Sequence, residues 1–114
     1  MNMNIDELIP VNAFLTPAQI KKKVGEQCRI LRSVHFRWSR DRLAEKSGVS
    51  RATIQRFEAG GDISLSNLVS LAQAMSTSDR FVTLFELPEV SSIAELEKRR
   101  AALNRIERTK ARRR

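Results

Sequence analysis

Four times in the first two thirds of the sequence a hydroxyl residue stands between two apolar ones at a fixed spacing. Thr16 lies between Leu15 and Ile20, Ser39 between Trp38 and Leu43, Ser50 between Val49 and Ile54, and Ser64 between Ile63 and Leu68. A serine or threonine oxygen at the N-cap accepts from a free N–H of the first helical turn. Apolar residues just before the cap and four positions after it close over that turn. At Thr16 the pattern is completed by Pro17 at the first helical position and Gln19 at the third. Four such starts in series limit the chain to short, closely spaced helices. With no stretch alternating at period two, the fold class is all-α.

The spacing predicts helices over 17–34, 40–46, 51–59, 65–75 and 79–87, the last stopped by Pro88. Ile20, Val24, Cys28 and Leu31 form the expected inner face of the first, and Leu68, Leu71, Ala72 and Met75 that of the fourth. The second and third helices are separated by only a few residues around Gly48, where glycine can take the left-handed conformation that ends a helix. Ala44 is small where these two helices should approach. Val49, Ile54 and Phe57 then face inward, and Arg51, Ala52, Gln55 and Arg56 are left on the outer face. Two short helices joined this way are a helix-turn-helix.

With 114 residues, 41% of them hydrophobic, the chain can build one small core. The expected organisation is an N-terminal arm over 1–15, a helical domain over 16–88 and a basic tail over 89–114. Ser92 and Glu95 fit another capped start. Only Ile93, Leu96, Leu103 and Ile106 offer apolar anchors beyond it, so this helix is expected to fray into the tail.

Charge is segregated. Residues 21–56 hold eleven bases against three acids, residues 57–97 one base against seven acids, and residues 98–114 nine bases against one acid. Residues 1–97 are therefore neutral overall but polarised, and the tail holds the whole net charge of +8; such a polarised chain suits a protein that turns one face to a polyanion. Arginine pairs with guanine and glutamine with adenine, and Lys21, Lys22, Lys23, Arg37, Arg40 and Arg42 could meet phosphates.

Other chemistries find little support. Cys28 stands alone, which excludes an internal disulfide, and reads as a core residue. His35 has no companion ligands, so no metal or cofactor is expected. No carboxylate pair, activated nucleophile or phosphate-cradling glycine loop can be assembled, so the chain is not expected to be an enzyme. The N-terminus lacks a basic leader, and no apolar run is long enough to cross a bilayer. A cytoplasmic protein without membrane contact is expected.

The segment WSRDRLAEKSGVSRATIQRFEAGGDISLSNLVSLAQAM resembles the Cro and phage-repressor helix-turn-helix, also called the xenobiotic-response-element (XRE) family. The likeness covers about residues 17–87 and rests on Ser39, LAEKSGVS, TIQRFEAG and the leucine-rich fourth helix. It implies a lambda-repressor-like domain with the third helix in the major groove of double-stranded DNA. It further implies base contacts by Arg51, Ala52, Gln55 and Arg56, and phosphate contacts by Arg40 and Ser50. Thr53, Arg37 and Arg42 are the other phosphate candidates. The family has glutamine where Arg40 stands, and LRSVHFRWS is one residue longer than its usual spacing. An arginine that pairs with Glu58 in the family is therefore either Arg29 or Arg32 here.

The resemblance implies a bacterial homodimeric repressor at an inverted repeat, associated with the nucleoid when bound. LFELPE, the following helix and the arginine-rich end are also similar to antitoxins of the HipB type, which would make a HipA-like kinase toxin a partner. A stand-alone phage-type or restriction-controller regulator, and an interaction module that does not bind DNA, are the alternatives.

Overall fold

The computed structural model describes residues 14–112, which hold six α-helices and no strand. In chain order these are α1 (Pro17–Ile30), α2 (Arg40–Ser47), α3 (Arg51–Glu58), α4 (Leu65–Ala74), α5 (Asp79–Val82) and α6 (Ile93–Arg112). They fall into two compact units that divide between Leu84 and Phe85.

All four expected caps form. The hydroxyls of Thr16, Ser39, Ser50 and Ser64 accept from the backbone N–H of Gln19, Arg42, Thr53 and Asn67, and Gln19 returns a bond to Thr16 N, completing a capping box. α1 and α2 pack on α3, and α2 also packs on α4. The core between them is Leu43, Val49, Ile54, Phe57, Leu71 and Met75, with Leu43 and Ile54 fully sealed from solvent. Ala44, Leu68 and Trp38 pack against this core half-buried.

Three features of the first unit differ from the sequence expectation. The first helix does not run as α-helix to residue 34. From Leu31 to His35 it widens into a π turn, with Phe36 N donating to the carbonyl of Leu31 at 3.1 Å. A π turn absorbs one extra residue without breaking the helix. It therefore accounts for the long LRSVHFRWS spacing.

The inner face of α1 is also rotated. Ile20 and Val24 are 39% and 36% exposed, whereas Gly25 and Arg32 are buried. A Cβ on Gly25 would stand 2.2 Å from the carbonyl oxygen of Phe57. The backbone of α1 thus lies directly on the end of α3, an approach that only glycine permits.

The expected fifth helix over 79–87 shrinks to the single turn Asp79–Val82, and Thr83–Phe85 continue as turns. Ser78 makes no side-chain cap there, and Val82 and Leu84 stay 84% and 63% exposed. An uncapped turn that buries so little does not propagate.

In the second unit α6 runs unbroken from Ile93 to Arg112, where fraying was expected. Ser92 caps it through Glu95 N at 3.1 Å. Its alanine, leucine, glutamate, lysine and arginine are all strong helix formers. Among the described residues, no helix is long and apolar enough to cross a membrane.

Candidate nucleic-acid interface

α3 is fixed at both ends and along one side. At its start Ser50 caps Thr53 N at 3.2 Å and donates to Thr53 Oγ1 at 2.8 Å. At its finish Gly60 N bonds to the carbonyl of Phe57 and Gly61 N to that of Arg56 at 2.7 Å, with Gly60 at φ 99°. This pair of bonds is a Schellman stop. The turn before α3 is set by Gly48 at φ 77°, ψ 4°, whose N–H satisfies the carbonyl of Ala44.

The inner side of α3 is Ile54, Phe57 and Glu58, all buried. Glu58 is the one charged group among them, and its carboxylate is met from two helices. Arg32 donates to it through Nε at 2.7 Å and through a terminal nitrogen at 2.9 Å, in the forked geometry that suits carboxylates. Arg40, at the start of α2, adds its Nε at 3.0 Å. The remaining terminal nitrogen of Arg32 donates to the carbonyl of Trp38 at 2.8 Å. Arg32, not Arg29, is therefore the partner of Glu58. The π turn and the left-handed Arg37 (φ 58°) shape the backbone between Arg32 and Arg40.

Two guanidiniums on one carboxylate leave a positive charge over. The hydrogen bonds that Arg32 donates to Glu58 push its pKa above its ordinary value, against burial. Cys28 Sγ lies 4.0 Å from Glu58. Burial first, and then the nearby Glu58 carboxylate, push its thiol up to about 11, opposed by Arg32.

The outer side of α3 presents Arg51, Ala52, Gln55 and Arg56, all exposed. Arg56 reaches back to Thr53 Oγ1 at 3.4 Å, and Arg51 leans toward Asp41 of α2 at 3.6 Å. Of the phosphate candidates, Arg37 and Arg42 are exposed, and Arg42 touches Glu45 at 3.3 Å. Ser50 is exposed but its hydroxyl is used in the cap, and Thr53 is half-buried beneath it. Arg40 is the one whose surroundings differ most from expectation. One third of its side chain remains in solvent, while its Nε is committed to Glu58.

Lys21 is drawn off to Asp62 at 2.7 Å and holds that carboxyl below its usual range. Trp38 stacks on Phe36 with ring centres 4.5 Å apart, and Lys46 lies over its ring. That places it as packing rather than as a platform for bases.

A sequence profile of the helix-turn-helix family matches residues 31–81. That span begins at the π turn, takes in α2 through α4 with the Gly48 turn, and ends within α5. Residues 31–81 are a helix-turn-helix domain. Over these residues the chain is similar to helix-turn-helix domains of the Cro and repressor type. No curated protein matches the chain.

Proposed function

We propose that this chain is a sequence-specific repressor that binds an inverted repeat in double-stranded DNA as a homodimer. The observation that carries the reading is the division of α3. Ile54, Phe57 and Glu58 are buried, Thr53 is half-buried beneath the cap, and the four left over are side chains able to read bases. Arg51 and Arg56 can each fork onto guanine, Gln55 onto adenine, and the Ala52 methyl can meet the methyl of thymine. Arg37, Arg40 and Arg42, with the α3 cap at Ser50 and Thr53, are the groups proposed to meet phosphate.

Arg40 has a particular part in this reading. Its Nε holds Glu58, so a phosphate on its terminal nitrogens would balance the surplus charge of the buried cluster. That phosphate would also tie the DNA backbone to the end of the recognition helix. A glutamine at this position would make the contact without the charge.

A salt titration on random duplex DNA tests the electrostatic part. The logarithm of the binding constant should fall linearly with that of salt concentration, and Arg42→Ala should reduce the slope by about one. A flat salt response would favour a protein-interaction module instead.

α6 supports a second reading, that of an antitoxin for a HipA-like kinase toxin. Its apolar residues Ile93, Leu96, Leu103 and Ile106 are 44–77% exposed on an otherwise basic helix, a surface suited to a partner protein. Co-purification of a kinase encoded beside the gene, lost on truncation before Ile93, would support it over a stand-alone regulator.

A further inference from the structure

The second unit carries more positive charge than its fold uses. Along α6, Lys98, Arg105, Arg108 and Arg112 follow one another at steps of seven, three and four residues. At 3.6 residues per turn they fall within an arc of about 80°, in a stripe about 21 Å long. All four are exposed. Ile93, Leu96, Leu103 and Ile106 are centred on the opposite side of the helix.

Two structural roles for these bases fall short. Cations near the end of a helix favour its dipole, but that effect fades within the last turn and leaves Lys98 and Arg105 unexplained. Ion pairing does not account for the stripe either. Among the described residues, the one salt bridge on α6 joins Lys110 to Glu107 at 3.9 Å, and no base of the stripe takes part. In the first unit, by contrast, Lys21, Arg32, Arg40, Arg42 and Arg51 each have a carboxylate partner. Within the stripe the neighbours are alike in charge. Arg108 and Arg112 stand four residues apart, where like charges oppose the helix. A polyanion laid along the stripe relieves that repulsion.

The rest of the helix indicates which polyanion. A lipid surface would take up the apolar side of α6, but Arg99 and Lys110 lie in the middle of that side, between Leu103 and Ile106 in angle. α6 also has no aromatic residue to seat at a membrane interface. Duplex DNA carries about one phosphate charge per 1.7 Å of its axis, so 21 Å of stripe can follow several phosphates without reading a base. The chain holds a second element proposed to bind DNA, α3. Two such elements in one chain raise each other's effective concentration at a shared duplex. The stripe leaves the apolar side of α6 free.

We infer that the face of α6 formed by Lys98, Arg105, Arg108 and Arg112 is a second DNA contact, one that holds phosphates without regard to sequence. The inference rests on the DNA-binding reading for its choice of polyanion. Affinity is then shared between the two units, while sequence preference stays with α3.

The test is a salt titration of the full chain on random duplex DNA, repeated with Arg105→Gln, Arg108→Gln and Arg112→Gln combined. Glutamine matches arginine closely as a helix former, which circular dichroism checks. The triple variant should bind about 30-fold or more weakly at about 0.1 M salt, with a salt slope lower by about three. It should lose the same factor on the sequence that the wild type enriches from a random pool. Arg99→Gln with Lys110→Gln, on the other side of α6, should lower the slope by less than about one.

A triple variant with the slope of the wild type overturns the inference, as does an equal loss per charge from Arg99→Gln with Lys110→Gln. So does a stripe needed for binding phosphatidylglycerol vesicles or duplex RNA but not duplex DNA. If the stripe governs binding to random duplex while the wild type enriches no sequence, the inference stands and the sequence-specific reading fails. If the wild type enriches an inverted repeat that the triple variant binds as tightly, the reading stands and the inference fails. A wild type that binds no duplex overturns both.

Discussion

At the scale of single residues, Glu58 organises the domain more than any outer-face arginine. A buried carboxylate is tolerated because Arg32 and Arg40 satisfy it, and removing it strands guanidiniums in a dry site. Glu58→Ala should therefore cost about 3–5 kcal/mol of stability in urea unfolding. A loss under about 1 kcal/mol would mean the cluster is screened by water. Cys28, beside the same cluster, gives a pH signature. Its thiol titrates at 9.0 in the unfolded chain and about 11 when folded, so both states are protonated below pH 9. As pH rises from 9 to 11 the unfolded chain ionises first and stability falls, by about 1–2 kcal/mol after allowing for solvent screening. Thermal melts of wild type and Cys28→Ala across this range should diverge, with the variant losing less. Parallel curves would contradict the shift.

At the scale of elements, much of the architecture was legible because caps are local. A hydroxyl oxygen and the N–H three residues on decide a helix start between them, and all four starts form as read. Gly48 was legible for the same reason. What escaped were long-range consequences. Helical spacing placed Val24 inward, but it could not reveal that α1 lies backbone-to-backbone on α3 at Gly25. The pairing of Arg32 rather than Arg29 depended on a π turn that periodicity does not signal, although the extra residue in LRSVHFRWS was its trace. The double glycine in EAGG held a further missed signal, the Schellman stop of α3. Gly25→Ala separates the two views of α1. On an exposed helix the change would stabilise by up to about 1 kcal/mol. Against the Phe57 carbonyl it should destabilise by about 1–3 kcal/mol, read as a fall in melting temperature.

At the scale of the whole molecule, the charge segregation seen in the sequence becomes a division of surfaces. In the first unit the outer face of α3 presents Arg51 and Arg56, while an apolar groove lined by α1, α4 and the stretch from Thr77 to Leu84 has Arg80 as its one lysine, arginine or acid. The outer face was legible because the residues of α3 without a packing task could be found by elimination. The groove was not, since its walls are residues that a sequence reading assigns to the core.

The central claim is that the outer face of α3 reads a specific DNA sequence. The most direct measurement is selection of bound duplexes from a random DNA pool by the full wild-type chain, repeated with Gln55→Ala and Arg56→Ala. The wild type should enrich an inverted repeat, and each variant should lose preference at its own base pair in both halves, worth about 1–3 kcal/mol. No enrichment by the wild type, or the same enriched sequence from all three proteins, would contradict it.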